Sequence, residues 1–132
     1  MDTLVFHFDR TFGTRLPKAL ASLKPPMLIK WHQAEGFAQN MPDDQWMGVV
    51  GPRQWIVLSQ DRHFHLRENE LLAIKQHAIK CFYLPCANED RWVSMCHIAS
   101  RYGKIMELAR VNSGPFVFEM KDNRQFYRIN LP

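Results

Sequence analysis

Short runs of consecutive apolar residues recur along this chain, each closed by a polar or turn-forming residue. No other feature constrains the fold as strongly. Leu4-Val5-Phe6-His7-Phe8 stops at Asp9, and Met27-Leu28-Ile29-Lys30-Trp31-His32 follows the breaker Pro25-Pro26. Trp55-Ile56-Val57-Leu58-Ser59-Gln60 stops at Asp61, and Cys81-Phe82-Tyr83-Leu84 precedes Pro85. Runs of this length without polar alternation are what strands buried on both faces look like.

Helical periodicity fills the intervals. Leu16, Ala19, Leu20 and Leu23 recur at helical spacing from Thr14 onward, with Pro17 tolerable in a first turn. After an irregular stretch over residues 33–42, Asp43 reads as a helix N-cap ahead of Trp46, Met47 and Val50, and Gly51-Pro52 ends that helix. Residues 70–78 and 89–110 read as two further helices. Residues 116–120 and 126–129 read as an antiparallel strand pair around the turn-like Lys121-Asp122-Asn123-Arg124. Strand and helix therefore alternate for most of the length. The expectation is an α/β fold, a three-layer sandwich on a mostly parallel central sheet with the antiparallel pair added at its edge.

At 132 residues the chain has room for one domain, and no repeat or linker interrupts it. Apolar residues at 46% and charged residues at 23% exclude a disordered chain. No run of about 18 apolar residues is present, and the N-terminus lacks the features of a secretory signal, so no membrane association is expected. Cys81, Cys86 and Cys96 are odd in number and irregular in spacing, which points to a reducing, cytoplasmic setting. Lys and Arg outnumber Asp and Glu by 17 to 13, a net +4 compatible with a polyanionic partner.

Ligands of open parallel sheets bind outside the carboxyl ends of the strands. Asp9 ends the first strand, Asp43-Asp44 opens the helix before the third, and Asp61 ends the third. These acids are expected to converge on one sheet edge. Gathered carboxylates repel one another and their pKa values rise unless a cation intervenes. Hard oxygen donors favour Mg²⁺ or Mn²⁺, which activate water and neutralise a phosphodiester. The plainer assignment makes Asp9 and Asp61 strand-end turn residues and Asp43 a helix cap.

The order Val5-Phe6-His7-Phe8-Asp9-Arg10, then Pro42-Asp43-Asp44-Gln45-Trp46, then Val57-Leu58-Ser59-Gln60-Asp61-Arg62 resembles the PIN-like domains grouped with VapC-type toxins. Their pattern is an aspartate ending strand one, an Asp-x-x-apolar helix start, and a strand ending in Thr/Ser-x-Asp-Arg. The resemblance covers residues 4–85, and residues 1–132 are expected to form one such domain. It implies a metal-dependent endoribonuclease, the toxin of a type II toxin–antitoxin pair, with RNA as substrate, a cognate antitoxin as partner and a homodimer as an open assembly. Asp9, Asp43 and Asp61 match the catalytic, metal-binding acids, with Asp44 as the nearest substitute for Asp43. Ser59 matches the strand-end hydroxyl that steadies a carboxylate, and Arg10 and Arg62 flank the acids as phosphate contacts. The chain departs from the pattern in having aspartate where glutamate is usual in the second place. It also has no fourth acid directly after Asp61.

Other clusters have two readings each. His63, His65 and Arg67, with Arg15 and Lys18 on the first helix, are either RNA contacts or solvated charges. The cysteines with His97 lack the paired spacing of a zinc site and read as buried thiols. Trp31, Trp46, Trp55 and Trp92 are either base-stacking residues or, for three of the four, core. The aromatic terminal strands form an edge open to pairing. Two rivals accompany the nuclease reading. A receiver-like signalling module fails for want of a paired acid beside Asp9 and a later strand-end lysine. A catalytically inactive PIN-like module that binds RNA or protein stays open.

Overall fold

The computed structural model describes residues 3–84 and 90–132. Six strands form one sheet: β1 (Val5–Phe8), β2 (Leu28–Trp31), β3 (Ile56–Ser59), β4 (Lys80–Tyr83), β5 (Phe116–Met120) and β6 (Phe126–Ile129). Their spatial order is β2-β1-β3-β4-β5-β6. The first five strands run parallel, and only β6 is antiparallel, against β5. The terminal antiparallel pair lies at the sheet edge as expected, and its first strand extends the parallel sheet.

Side-chain alternation along the buried strands builds two cores. Phe6, Phe8, Ile56, Leu58, Phe82, Phe116 and Phe118 face α1 (Arg15–Ser22) and α4 (Arg91–Val111), which contribute Leu16, Leu20, Ile98, Ile105 and Ala109. Val57, Cys81, Tyr83 and Val117 face α2 (Asp43–Val50) and α3 (Glu68–Gln76), which contribute Trp46, Met47, Val50, Ala73 and Ile74. Phe82 anchors the first core, with Phe116, Phe118 and Phe126 rings at 5.6, 5.5 and 5.6 Å. Each such buried aromatic contributes about 1.5–3 kcal/mol. The expected three-layer α/β sandwich is the observed one.

Element ends differ from the pattern-based expectation where a tertiary contact intervenes. Asp43 is not the cap of α2 but its first residue, with Pro42 at the cap. Its carboxylate accepts from the Trp46 indole N–H at 2.8 Å rather than from the helix backbone. α3 starts at Glu68, two residues early. The cap of α4 is Asp90, whose carboxylate accepts from Val93 N–H at 2.8 Å. Trp46 is buried, Trp31 and Trp55 are half-buried and Trp92 is 74% exposed, so three of the four pack. Cys81 is buried, whereas Cys96 is exposed on α4 and departs from the buried-thiol reading; Cys86 lies outside the described residues. Among the described residues no helix is long and apolar enough to cross a membrane.

Candidate active site

Strand register sets the site. Phe8 stands beside Leu58, Ser59 beside Tyr83, and Tyr83 beside Glu119. Asp9, one residue past β1, is tied in by its N–H donating to the Leu58 carbonyl at 3.1 Å. Asp9, Ser59, Tyr83 and Glu119 therefore form a row at the carboxyl ends of four parallel strands, on the face covered by α2 and α3.

Asp9 is the buried member, at 2% exposure. Its Oδ1 accepts from the Thr11 backbone N–H at 3.0 Å and from the Thr11 hydroxyl, an Asx-type turn that steers the chain away from the sheet. Its Oδ2 is buried with no hydrogen-bond partner. Burial pushes the carboxyl up to about 6, against the pull of the nearby Ser59 hydroxyl and of the Thr11 hydrogen bonds, and the Asp43 charge adds to the rise. An anion in such a place is costly unless a cation joins it.

Asp43 is brought to the same end by α2. Its Oδ1 takes the Arg10 guanidinium at 2.6 Å, while Arg10 also donates to the carbonyls of Gln39 at 2.5 Å and Met41 at 2.7 Å. Arg10 is thus a clamp on the segment leading into α2 as well as the partner of Asp43. Asp44 is exposed and takes no part in these contacts. Asp61 follows β3; its N–H donates to Ser59 Oγ at 3.0 Å, and its Oδ1 accepts from His63 N–H at 3.0 Å. Arg67 grips Asp61 with both terminal nitrogens, at 2.7 and 3.4 Å, which holds the guanidinium pKa up.

The remaining expected residues divide. His63 is exposed at the rim, and Arg62 pairs with Glu119 at 3.4 Å. His65 is not a solvated base: its N–H and Nδ1 both meet the Tyr83 hydroxyl at 3.1 Å, and burial lowers its pKa. Burial likewise pushes the Tyr83 phenol up. Arg15 lies off the acid row, lining a groove of about 390 Å³ with Leu16, Leu23, Arg91 and Trp92 between α1 and α4. A larger cleft, about 570 Å³, opens among Gly51, His77, Lys80, Arg110 and Gly114, at the amino end of the sheet.

Glu119 and Tyr83 went unread in the sequence. Glu119 is a further acid in this row: it arrives from β5, largely buried, and holds Arg62 and Lys121, the latter at 2.8 Å. Its signal was an acid inside the otherwise apolar run Phe116-Val117-Phe118-Glu119-Met120.

Does this set suit the divalent cation that its chemistry calls for? The donors are hard oxygens, and the orphaned Asp9 Oδ2 is an atom a cation would satisfy. The donor chemistry fits Mg²⁺ or Mn²⁺. Asp43 and Asp61, however, are turned to arginines. Among the described residues no three His, Cys, Asp or Glu side chains gather closely enough to hold a metal ion.

The structure is thus an α/β sandwich with aspartates at the carboxyl edge of a mostly parallel sheet. The family profile described as a PIN like domain matches residues 4–86, and the chain belongs to that family. The family is commonly one of nucleases. No curated protein and no solved structure matches the chain at a significant level.

Proposed function

We propose that this PIN-like domain is a Mg²⁺- or Mn²⁺-dependent endoribonuclease, and that it serves as the toxin of a type II toxin–antitoxin pair, restrained by a cognate antitoxin. The observation that carries the nuclease reading is the buried, unpartnered carboxylate oxygen of Asp9 at the carboxyl edge, beside Ser59 and within the field of Asp43. Asp9 would be the direct ligand, with Asp43 and Asp61 joining it only on release from Arg10 and Arg67. When bound, it supplies an activated water and neutralises charge on the phosphodiester. Thr11 and Ser59 fix the backbone of the Asp9 and Asp61 segments. Arg62 and His63, exposed at the rim, position the RNA backbone.

The test is cleavage of single-stranded RNA with Mg²⁺ or Mn²⁺ against EDTA, for wild type and Asp9→Asn. Metal-dependent cleavage that falls at least about a hundred-fold in the variant supports the reading, since removal of a group that stabilises transition-state charge costs that much. The arginine pairing of Asp43 and Asp61 favours a second reading, an inactive module that binds RNA. RNA binding without cleavage at any Mn²⁺ concentration would establish that reading instead. Growth arrest on expression, absent for Asp9→Asn, tests the toxin role.

A further inference from the structure

The cleft at the amino end of the sheet carries charge that the fold does not use. Lys80 opens β4, Gly114 precedes β5 and α4 ends at Val111, so these elements meet at the end of the sheet opposite the acid row. At about 570 Å³ the cleft falls within the roughly 300–1,000 Å³ of small-molecule sites. Lys80, Arg110, His77, Gln54, Gln76 and Ser113 line it, and among the described residues no aspartate or glutamate does. Lysines and arginines at helix ends ordinarily serve the unpaired carbonyls there. Here the carbonyls of Met47, Val50, Ala73, Ile74 and Leu108 already accept from the backbone N–H groups of Gly51, Trp55, His77, Ile79 and Asn112. Among the described residues neither Lys80 nor Arg110 donates to a carbonyl or pairs with an acid. Lys80 is half-buried, and its stem is held beside the turn, where a Cβ on Gly114 would lie 3.3 Å from Lys80 Cγ.

We propose that this cleft binds a small phosphate monoester, with Lys80 and Arg110 on the phosphate. Two permanent positive charges match a monoester, which carries about −1.5 to −2 at pH 7. A phosphodiester linkage carries one negative charge and would leave one cation unmatched. Arg110 offers a planar fork for two phosphate oxygens, and Lys80 adds a point charge from the cleft wall. The side-chain amides of Gln54 and Gln76 and the Ser113 hydroxyl have no hydrogen-bond partner among the described residues. They supply donors and acceptors for the rest of such a ligand. The His77 ring, seated against Gly48, forms one wall. Arg110 is exposed, so the attraction is screened by salt. The cleft uses none of the acids at the carboxyl edge, and its ligand is independent of the nuclease reading.

The experiment follows backbone amide resonances in EDTA during titration with AMP, inorganic phosphate, adenosine, and a single-stranded RNA oligonucleotide without terminal phosphates. The proteins are wild type, Lys80→Met, Arg110→Gln and, as an off-site control, Lys18→Gln, an exposed lysine of α1. Melting curves check that each variant folds, and the exposed Arg110 can change without disturbing the core. AMP and inorganic phosphate are expected to shift amides in residues 51–54, 76–80 and 110–114, with adenosine leaving them unmoved. Arg110→Gln and Lys80→Met should each weaken AMP roughly ten-fold, the size of one charge-assisted hydrogen bond. Lys18→Gln should follow wild type. No shift at these amides by about 10 mM AMP, or equal shifts from adenosine, would overturn the site. An equal loss in Lys18→Gln would reduce it to non-specific attraction and overturn it too. Tighter binding of the oligonucleotide than of AMP at the same amides would overturn the monoester in favour of an RNA strand.

Discussion

Asp9 and His7 stand two residues apart on one strand face and are buried for opposite consequences. The folded-state pKa of Asp9, about 6, lies above the ordinary 3.8. Its protonated form therefore favours the fold, a contribution fully present below pH ~4 and lost as pH rises through 6. Asp9→Asn carries no such loss. In EDTA, urea unfolding should find the variant gaining on wild type by about 2–3 kcal/mol between pH 4 and pH 7. An unchanged difference across that range would mean that Asp9 is not desolvated as described. His7 lies among Phe37, Trp46 and Trp55 with both ring nitrogens unpartnered. Burial first and then the His32 charge bring it down to about 3. It is thus buried neutral, and the stability it confers is present above pH 6.5 and lost as pH falls toward 3. His7→Phe should remove much of the acid lability in the same unfolding series. At this scale the edge positions of Asp9, Ser59 and Asp61 were legible because a polar residue at the end of an apolar strand stands out, and that of Asp43 because an acid opens a helix. Tyr83 and Glu119 were not, because a row across a sheet is set by register between segments far apart in sequence.

Elements meet tightly where the chain leaves α2 and α3. A Cβ on Gly51 would lie 2.4 Å from the His77 carbonyl oxygen and 2.6 Å from its Cβ, so the two helix ends share space that only glycine leaves open. Gly51→Ala is expected to cost about 1–3 kcal/mol and lower the melting temperature by several degrees. A melting curve matching wild type would contradict that packing. The positions of helices and strands were legible from periodicity, and their ends less so. Asp43 had the composition of a cap, but the Arg10 guanidinium and the Trp46 indole recruited its carboxylate, and contacts across 33 residues leave no local trace. β2 reads as a buried run, yet it forms the sheet edge, with Leu28 53% exposed. Strand order is not written in any one strand.

Over the whole molecule, net charge of +4 is not spread evenly around the acids. Arg62, His63 and Arg67 rim the carboxyl edge, while the carboxylates they surround are buried or half-buried. RNA binding in EDTA, where Arg67 stays on Asp61, should therefore be weak and salt-dependent, with a log–log slope of about −1.4 for about two phosphate contacts on a single strand; Arg62→Gln should lessen it by about 0.7. A slope near zero would remove the backbone contacts at the rim. The central claim concerns where a divalent cation binds, and Mn²⁺ broadening of assigned backbone amide resonances tests it directly. Broadening should centre on residues 9–11, 43–46 and 59–61 and spare residues 77–80 and 113–116 at the opposite end of the sheet, with Asp9→Asn abolishing it. Broadening centred elsewhere, or unchanged in Asp9→Asn, would contradict a metal site at the carboxyl edge.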